Sequence, residues 1–200
     1  MKQTTKKAIL ISLVLGVVLF LLSFWLGKEN AFLLFNIDLG STADYFFKYW
    51  THTGDGVIWV LITLLTLFFR RDQLLLVISS IVFSTLFAQL SKNIFFKGSP
   101  RPALAIPDHS LFHSVTGVEL HSLNSFPSGH TTTAFTIFLL GTILINRKWV
   151  LPAGLLYAVL AGYSRIYLAQ HFPIDIAGGI IAAILTIFIS MAIQSKWGKN

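Results

Sequence analysis

From Ala8 to Leu26 the chain runs nineteen residues without a charged side chain. About 20 apolar residues in a helix match the ~30 Å hydrocarbon layer of a bilayer. Further apolar segments follow at about 56–69, 73–96, 130–145, 149–168 and 175–193. In lipid the backbone of such segments is satisfied within a helix or a closed barrel, and runs this long and continuous favour the helix. The expected fold is therefore all-α: a polytopic membrane protein, a six-transmembrane-helix bundle forming a single domain over residues 1–200. Composition agrees, since 54% of the residues are hydrophobic and 12% are charged, against about 25% charged in a soluble domain. The first run is too long for a signal-peptide core, and no small-x-small cleavage site follows it, so it is expected to remain as a helix. With no cysteine in the chain, disulfide and thiolate chemistry are excluded.

The net charge of +7 does not point to nucleic acid, because the positive residues sit in small groups beside apolar runs. With six spans, one side holds Lys2, Lys6, Lys7, Arg70, Arg71, Arg147, Lys148, Lys196 and Lys199 against one acid, Asp72. The other side holds Lys28, Lys48, Lys92, Lys97, Arg101 and Arg165 against seven acids. The positive-inside rule makes the first side, with both termini, cytoplasmic. All six histidines then lie outside.

Charged and titratable groups at the ends of apolar helices are costly unless they have work to do. His171 and Asp175 are four apart where the last helix begins, with Pro173 suited to its first turn. A carboxylate there can hold one imidazole nitrogen and leave the other free to attack; an interfacial structural pair is the plainer reading. Arg165, six residues upstream, can clamp phosphate through its planar fork or simply snorkel to the interface. Pro127-Ser128-Gly129-His130 opens another helix, with Ser128 as cap and the Gly129 N–H in an anion nest. His130 at its mouth is placed to donate a proton or is an interfacial histidine. Thr53 or Asp55 is expected to cap the second helix, a cap being the plainer reading of Asp55 and a catalytic role the other. The polar connection 97–127 is long enough to contain a surface helix within 104–118. Gly178-Gly179 would allow close helix approach.

Together these residues carry a resemblance. Pro127-Ser128-Gly129-His130 and Ser164-Arg165-x5-His171-x3-Asp175 match two motifs of the type 2 phosphatidic acid phosphatase superfamily, which also contains the vanadium haloperoxidases. Its first motif, Lys-x6-Arg-Pro, is met by Arg101-Pro102, but both Lys92 and Lys97 are misspaced. Lys92 needs a two-residue insertion and Lys97 a shortened motif. The size and topology are similar to bacterial phosphatidylglycerophosphatase B-type enzymes. The resemblance implies a membrane-bound hydrolase using a phosphohistidine on His171, oriented by Asp175, with His130 as acid. Arg101, Arg165, Ser128, Gly129 and Lys92 or Lys97 would bind phosphate. It implies no metal and no cofactor. The implied substrate is phosphatidylglycerol phosphate, undecaprenyl pyrophosphate or phosphatidate, met at the outer face of a bacterial plasma membrane. Besides the bilayer, neither nucleic acid nor an obligate protein partner is expected. The alternative is a lipid-phosphate binding or transport protein of the same fold without catalysis. Charge-free helix middles speak against a transporter, and the long apolar runs against a soluble haloperoxidase.

Overall fold

The computed structural model describes residues 1–145 and 147–198; Asn146, Lys199 and Asn200, with the Lys199 contribution to the basic face, lie outside the described residues. Its helices are α1 (Gln3–Leu26), α2 (Lys28–Phe35), α3 (Ser41–Trp50), α4 (Ile58–Phe69), α5 (Leu74–Leu90), the single turn α6 (Pro102–Ala105), α7 (Gly129–Leu144), α8 (Val150–Tyr167) and α9 (Pro173–Trp197). No strand occurs among the described residues. The chain is a multi-pass, all-helical membrane protein.

Helix α9 is the axis of the bundle. It packs against α1, α5 and α7, and α7 packs in turn on α8. Ile176, Ile180, Ala183 and Ile187 recur at helical spacing and are all buried. Small residues let the backbones approach. A Cβ on Gly179 would lie 2.8 Å from the Ser128 carbonyl oxygen and 2.9 Å from Thr131 Cβ, so α9 and α7 touch where the glycine pair was expected to allow it. Several buried hydroxyls are satisfied within their own helices: Thr132, Thr136 and Thr186 each donate to the carbonyl four residues back. Outward-facing Leu10, Val14, Phe20, Phe24 and Phe188 are exposed, as lipid-facing residues should be.

Among the described residues, four helical units are long and apolar enough to cross a membrane alone: α1, α5 with its flanking turns (Arg71–Phe95), α8 and α9. Helices α3 and α4 form a broken pair bent by 52°. Helix α7 has 16 residues, about 24 Å at 1.5 Å per residue.

Two local expectations differ from the structure. Neither Thr53 nor Asp55 caps α4, whose N-cap is Val57 with no side-chain bond; Asp55 is drawn to histidines instead. Segment 27–55 folds into α2, α3 and a 3-10 turn (Thr51–Gly54). Connection 104–118 holds no surface helix, only α6 and the turn His109–Leu111. Pro102 and Pro107 bracket that stretch, and proline disfavours a continuous helix.

The far end of the bundle is tied by basic and amide side chains. Lys2 Nζ donates to the Ile143 carbonyl at 3.3 Å, and Arg70 Nη1 to Leu144 at 2.8 Å. Gln194 bridges Asp72 and Leu76. The ends of α4, α7 and α9 therefore meet the starts of α1 and α5, leaving the titratable cluster at the opposite end.

Candidate active site

The chain turns sharply between α8 and α9. Ala169 adopts a left-handed conformation with φ of 53°, uncommon for a residue with a Cβ. Gln170 and His171 then both donate their N–H groups to the Arg165 carbonyl, at 2.8 and 3.0 Å. This closes the end of α8 and buries His171 to 1% exposure. Pro173 takes the first turn of α9, as expected, and Asp175 follows. His171 Nδ1 lies 3.3 Å from Asp175 Oδ2. Because a carboxylate only accepts, Nδ1 carries the proton and Nε2 keeps its lone pair. Asp175 is fixed by two further donors, the Phe172 N–H at 2.9 Å and the Ser125 hydroxyl. Burial pushes the His171 pKa well below its ordinary value, and the charges of Arg101, Arg165, Lys92 and His130 push the same way.

Helix α7 begins as its sequence suggests. Ser128 is its N-cap and accepts from Thr131 N at 3.3 Å and Thr131 Oγ1 at 2.9 Å. The Ser128 N–H donates to the Asp175 carbonyl at 3.0 Å, so the two motifs are joined through backbone. Gly129 faces Lys92: a Cβ there would lie 3.8 Å from Lys92 Nζ.

That contact separates the two candidate lysines. Lys92 sits in a π-helical turn, Ser91–Phe95, at the end of α5. A π-turn takes up an extra residue without ending the helix, which accommodates the long spacing to Arg101. Lys97 is exposed beyond that turn and is not among the charges acting on His171. Arg101 is buried, with Nε donating to Leu123 O at 2.9 Å and Nη1 to the Gln170 carbonyl and amide oxygens, both at 3.3 Å. Arg165 is 7% exposed, donates to Thr51 Oγ1 at 2.6 Å, and has a buried Nε without a partner.

The 3-10 turn between α3 and α4 brings residues that the motifs omit. Thr51 holds Arg165. A Cβ on Gly54 would be 3.1 Å from His130 Cβ, so glycine lets the turn sit close on α7. Asp55 Oδ1 is 2.7 Å from His130 Nε2, and Oδ2 is 2.9 Å from His52 Nδ1. Hydrogen bonding to His130 is the main cause that lowers the Asp55 carboxyl to about 2, opposed by burial and helped by His52. Thr51 and Ser125 lie outside the recognised motifs and Gln170 is an unspecified position within the third, so motif spacing flags none of them.

Two cavities adjoin the cluster. A polar one of about 300 Å³ is lined by Thr51, His52, Asp55, His130, Arg165 and Gln170, among others. An apolar one of about 670 Å³ reaches Phe172 and Asp175 from the other side and runs along α1 and α9 past Val17, Phe20 and Ile181. Elsewhere Asp38, Asp44 and His113 draw together, which sequence spacing did not suggest. Asp44 Oδ1 is 2.8 Å from His113 Nε2 and accepts from the Tyr167 hydroxyl at 2.6 Å. This group ties the loops to α8.

Residues 73–199 match the PAP2 superfamily. The chain belongs to that family. It is 28% identical over 182 residues to an undecaprenyl-diphosphatase of Sulfolobus acidocaldarius, covering 84% of this chain and 82% of that protein. Among solved structures it resembles Aquifex aeolicus LpxE, with a TM-score of 0.70, 30% identity, and coverage of 80% of this chain and 92% of that one. It also shares the fold of a transmembrane PAP2-type phosphatidylglycerolphosphate phosphatase from Bacillus subtilis, with a TM-score of 0.62 at 23% identity and 98% coverage of both chains. The PAP2 match begins just before α5, and the sites contributed by α5, α7, α8 and α9 fall inside it.

Proposed function

We propose that this PAP2 protein is a lipid phosphatase working through a phosphohistidine. The observation that carries the reading is the buried His171, held at Nδ1 by Asp175 and surrounded by Lys92, Arg101 and Arg165. In the first step His171 Nε2 attacks phosphorus. An N–P bond forms, the bond from phosphorus to the leaving oxygen breaks, and His130 gives that oxygen a proton. In the second step His130 takes a proton from water, whose oxygen attacks phosphorus and releases inorganic phosphate and neutral His171. Arg101, Arg165, Lys92, Ser128 and the Gly129 N–H balance the charge on the phosphoryl oxygens. Two guanidinium groups and an ammonium supply the positive charge this reaction requires, so no metal is assigned a step.

The substrate is a lipid phosphate or diphosphate. Its headgroup enters the polar cavity, and the apolar cavity beside Asp175 receives chain from the bilayer. The Sulfolobus relative, similar across most of both chains, supports a polyprenyl diphosphate; phosphatidylglycerol phosphate and phosphatidate share the reacting group. The site opens on the extracytoplasmic face of a cell membrane crossed six times. The lysine and arginine bias supports that orientation, and a reporter fused at the C-terminus should read cytoplasmic.

The test is phosphate release by detergent-solubilised protein, with EDTA present, from a panel of these lipids. Wild type should release phosphate and His171→Ala should not. Folded wild type that binds these lipids without releasing phosphate overturns the reading in favour of a binding or transport role. Loss of release on adding EDTA overturns the metal-free chemistry.

A further inference from the structure

An anionic side chain inside a phosphate-binding cavity repels the substrate unless its charge is already committed. Asp55 lines the polar cavity together with Arg165 and His130. Both its oxygens are taken by imidazoles, Oδ1 by His130 Nε2 at 2.7 Å and Oδ2 by His52 Nδ1 at 2.9 Å. The turn that presents it is held on both flanks. Thr51 accepts from Arg165 at 2.6 Å, and Gly54 abuts the His130 backbone. His130 and Asp55 are partly exposed, at 26% and 36% of their side chains, while His52 at 66% faces the cavity mouth.

We propose that Asp55 is the positioning residue for His130, forming with it a second imidazole–carboxylate pair that serves the leaving group. This rests on the reading of His130 as the acid. A carboxylate accepts only, so His130 Nε2–H must donate to it. The bond fixes the ring and leaves Nδ1 as the nitrogen that gives and takes the proton. The negative charge also offsets Lys92 and Arg165, which face His130 from the π-turn after α5 and from α8. Without Asp55 these groups would discharge the acid before it could act. His52 steadies the outer carboxylate oxygen and keeps Asp55 turned from the phosphate.

The test is Asp55→Asn, which preserves shape and removes charge. It is assayed with an alkyl phosphomonoester lipid, phosphatidate or phosphatidylglycerol phosphate, and with para-nitrophenyl phosphate, whose leaving group needs little protonation. With the lipid, kcat should fall about ten- to a hundred-fold with little change in KM, a part of the ~10²–10⁴ typical of acid catalysis. With para-nitrophenyl phosphate the loss should shrink to about threefold or less. The basic limb of the lipid pH profile should move to lower pH. In a His130→Ala background, Asp55→Asn should add less than about twofold, because residues acting as one unit are not additive. Equal losses with both substrates, or an unmoved basic limb, would reduce Asp55 to a structural tie and overturn the proposal. If His130→Ala is impaired on the lipid while Asp55→Asn matches wild type, the Asp55 assignment alone fails. If His130→Ala keeps full activity, the acid reading fails and takes this proposal with it.

Discussion

The molecule carries two imidazole–carboxylate pairs, and they are built in opposite ways. His171 and Asp175 are four residues apart, almost fully buried, and formed by one turn entering one helix. His130 and Asp55 are 75 positions apart, half open to the cavity, and formed only when the α3–α4 turn docks on α7. The first pair is closed, with Asp175 anchored by Ser125 and the Phe172 N–H. The second is open, with Asp55 leaning on a histidine at the mouth. A nucleophile needs a fixed tautomer and a dry setting, whereas a group that exchanges protons with leaving group and water needs an outlet. The difference in burial matches this division of work.

The largest expected effect comes from breaking the closed pair at the proposed nucleophile. His171→Ala should lower kcat/KM by at least about 10⁴-fold with the helix content unchanged by circular dichroism; substantial residual phosphate release would move the nucleophile elsewhere. Ser125→Ala removes one of the donors to Asp175 and leaves the Phe172 N–H. A lost hydrogen bond to a charged group is worth about 1.5 kcal/mol or more, so activity should drop about tenfold. No measurable change would show that Asp175 does not depend on that hydroxyl.

The pH profile separates the pairs by sign. His171 must be neutral to attack. Burial, with help from Arg101, Arg165 and Lys92, depresses its pKa, so the neutral form persists below the ordinary histidine value of about 6.5. The acid limb of kcat/KM should therefore lie below 6.5. It should move upward in Arg165→Gln, which deletes one of the depressing charges. An acid limb at or above 6.5 in wild type, or one that Arg165→Gln leaves in place, would contradict this account. The smallest effect is expected at the seam of the open pair. Gly54→Ala places a Cβ 3.1 Å from His130 Cβ, which a few tenths of an ångström of movement can absorb. About a threefold loss is expected, confined to substrates with poor leaving groups; an equal loss with para-nitrophenyl phosphate would mean that the whole turn had shifted.

Much of this was legible beforehand, and for identifiable reasons. The charge-free runs gave the helices, because lipid leaves a continuous apolar segment few alternatives. Ser128 as a cap, Pro173 at a first turn and Gly179 at a close approach are local stereochemical statements, and each holds in the structure. The His171–Asp175 contact was readable because His171 falls just before a helix start marked by Pro173 and Asp175 falls in that helix's first turn. For Asp55 the same local logic favoured a cap over a catalytic reading, because near a helix start a cap is the local rule, while His130, which it pairs with, enters the chain 75 positions later. The lysine could not be chosen by counting, since a π-turn changes how many residues fit between α5 and Arg101.

What the sequence determined by itself is whatever one segment can settle alone: apolar length, caps, helix starts and one catalytic-type pair. What only the tertiary structure decided is which distant turn closes the site. That choice brings Thr51 to Arg165, Asp55 to His130, Gln170 to Arg101 and Lys92, rather than Lys97, to Gly129. The physical reason is that a buried charge is tolerated only when paired, and those pairs are selected by how helices pack, through small contacts such as Gly54 and Gly179 that no linear spacing encodes.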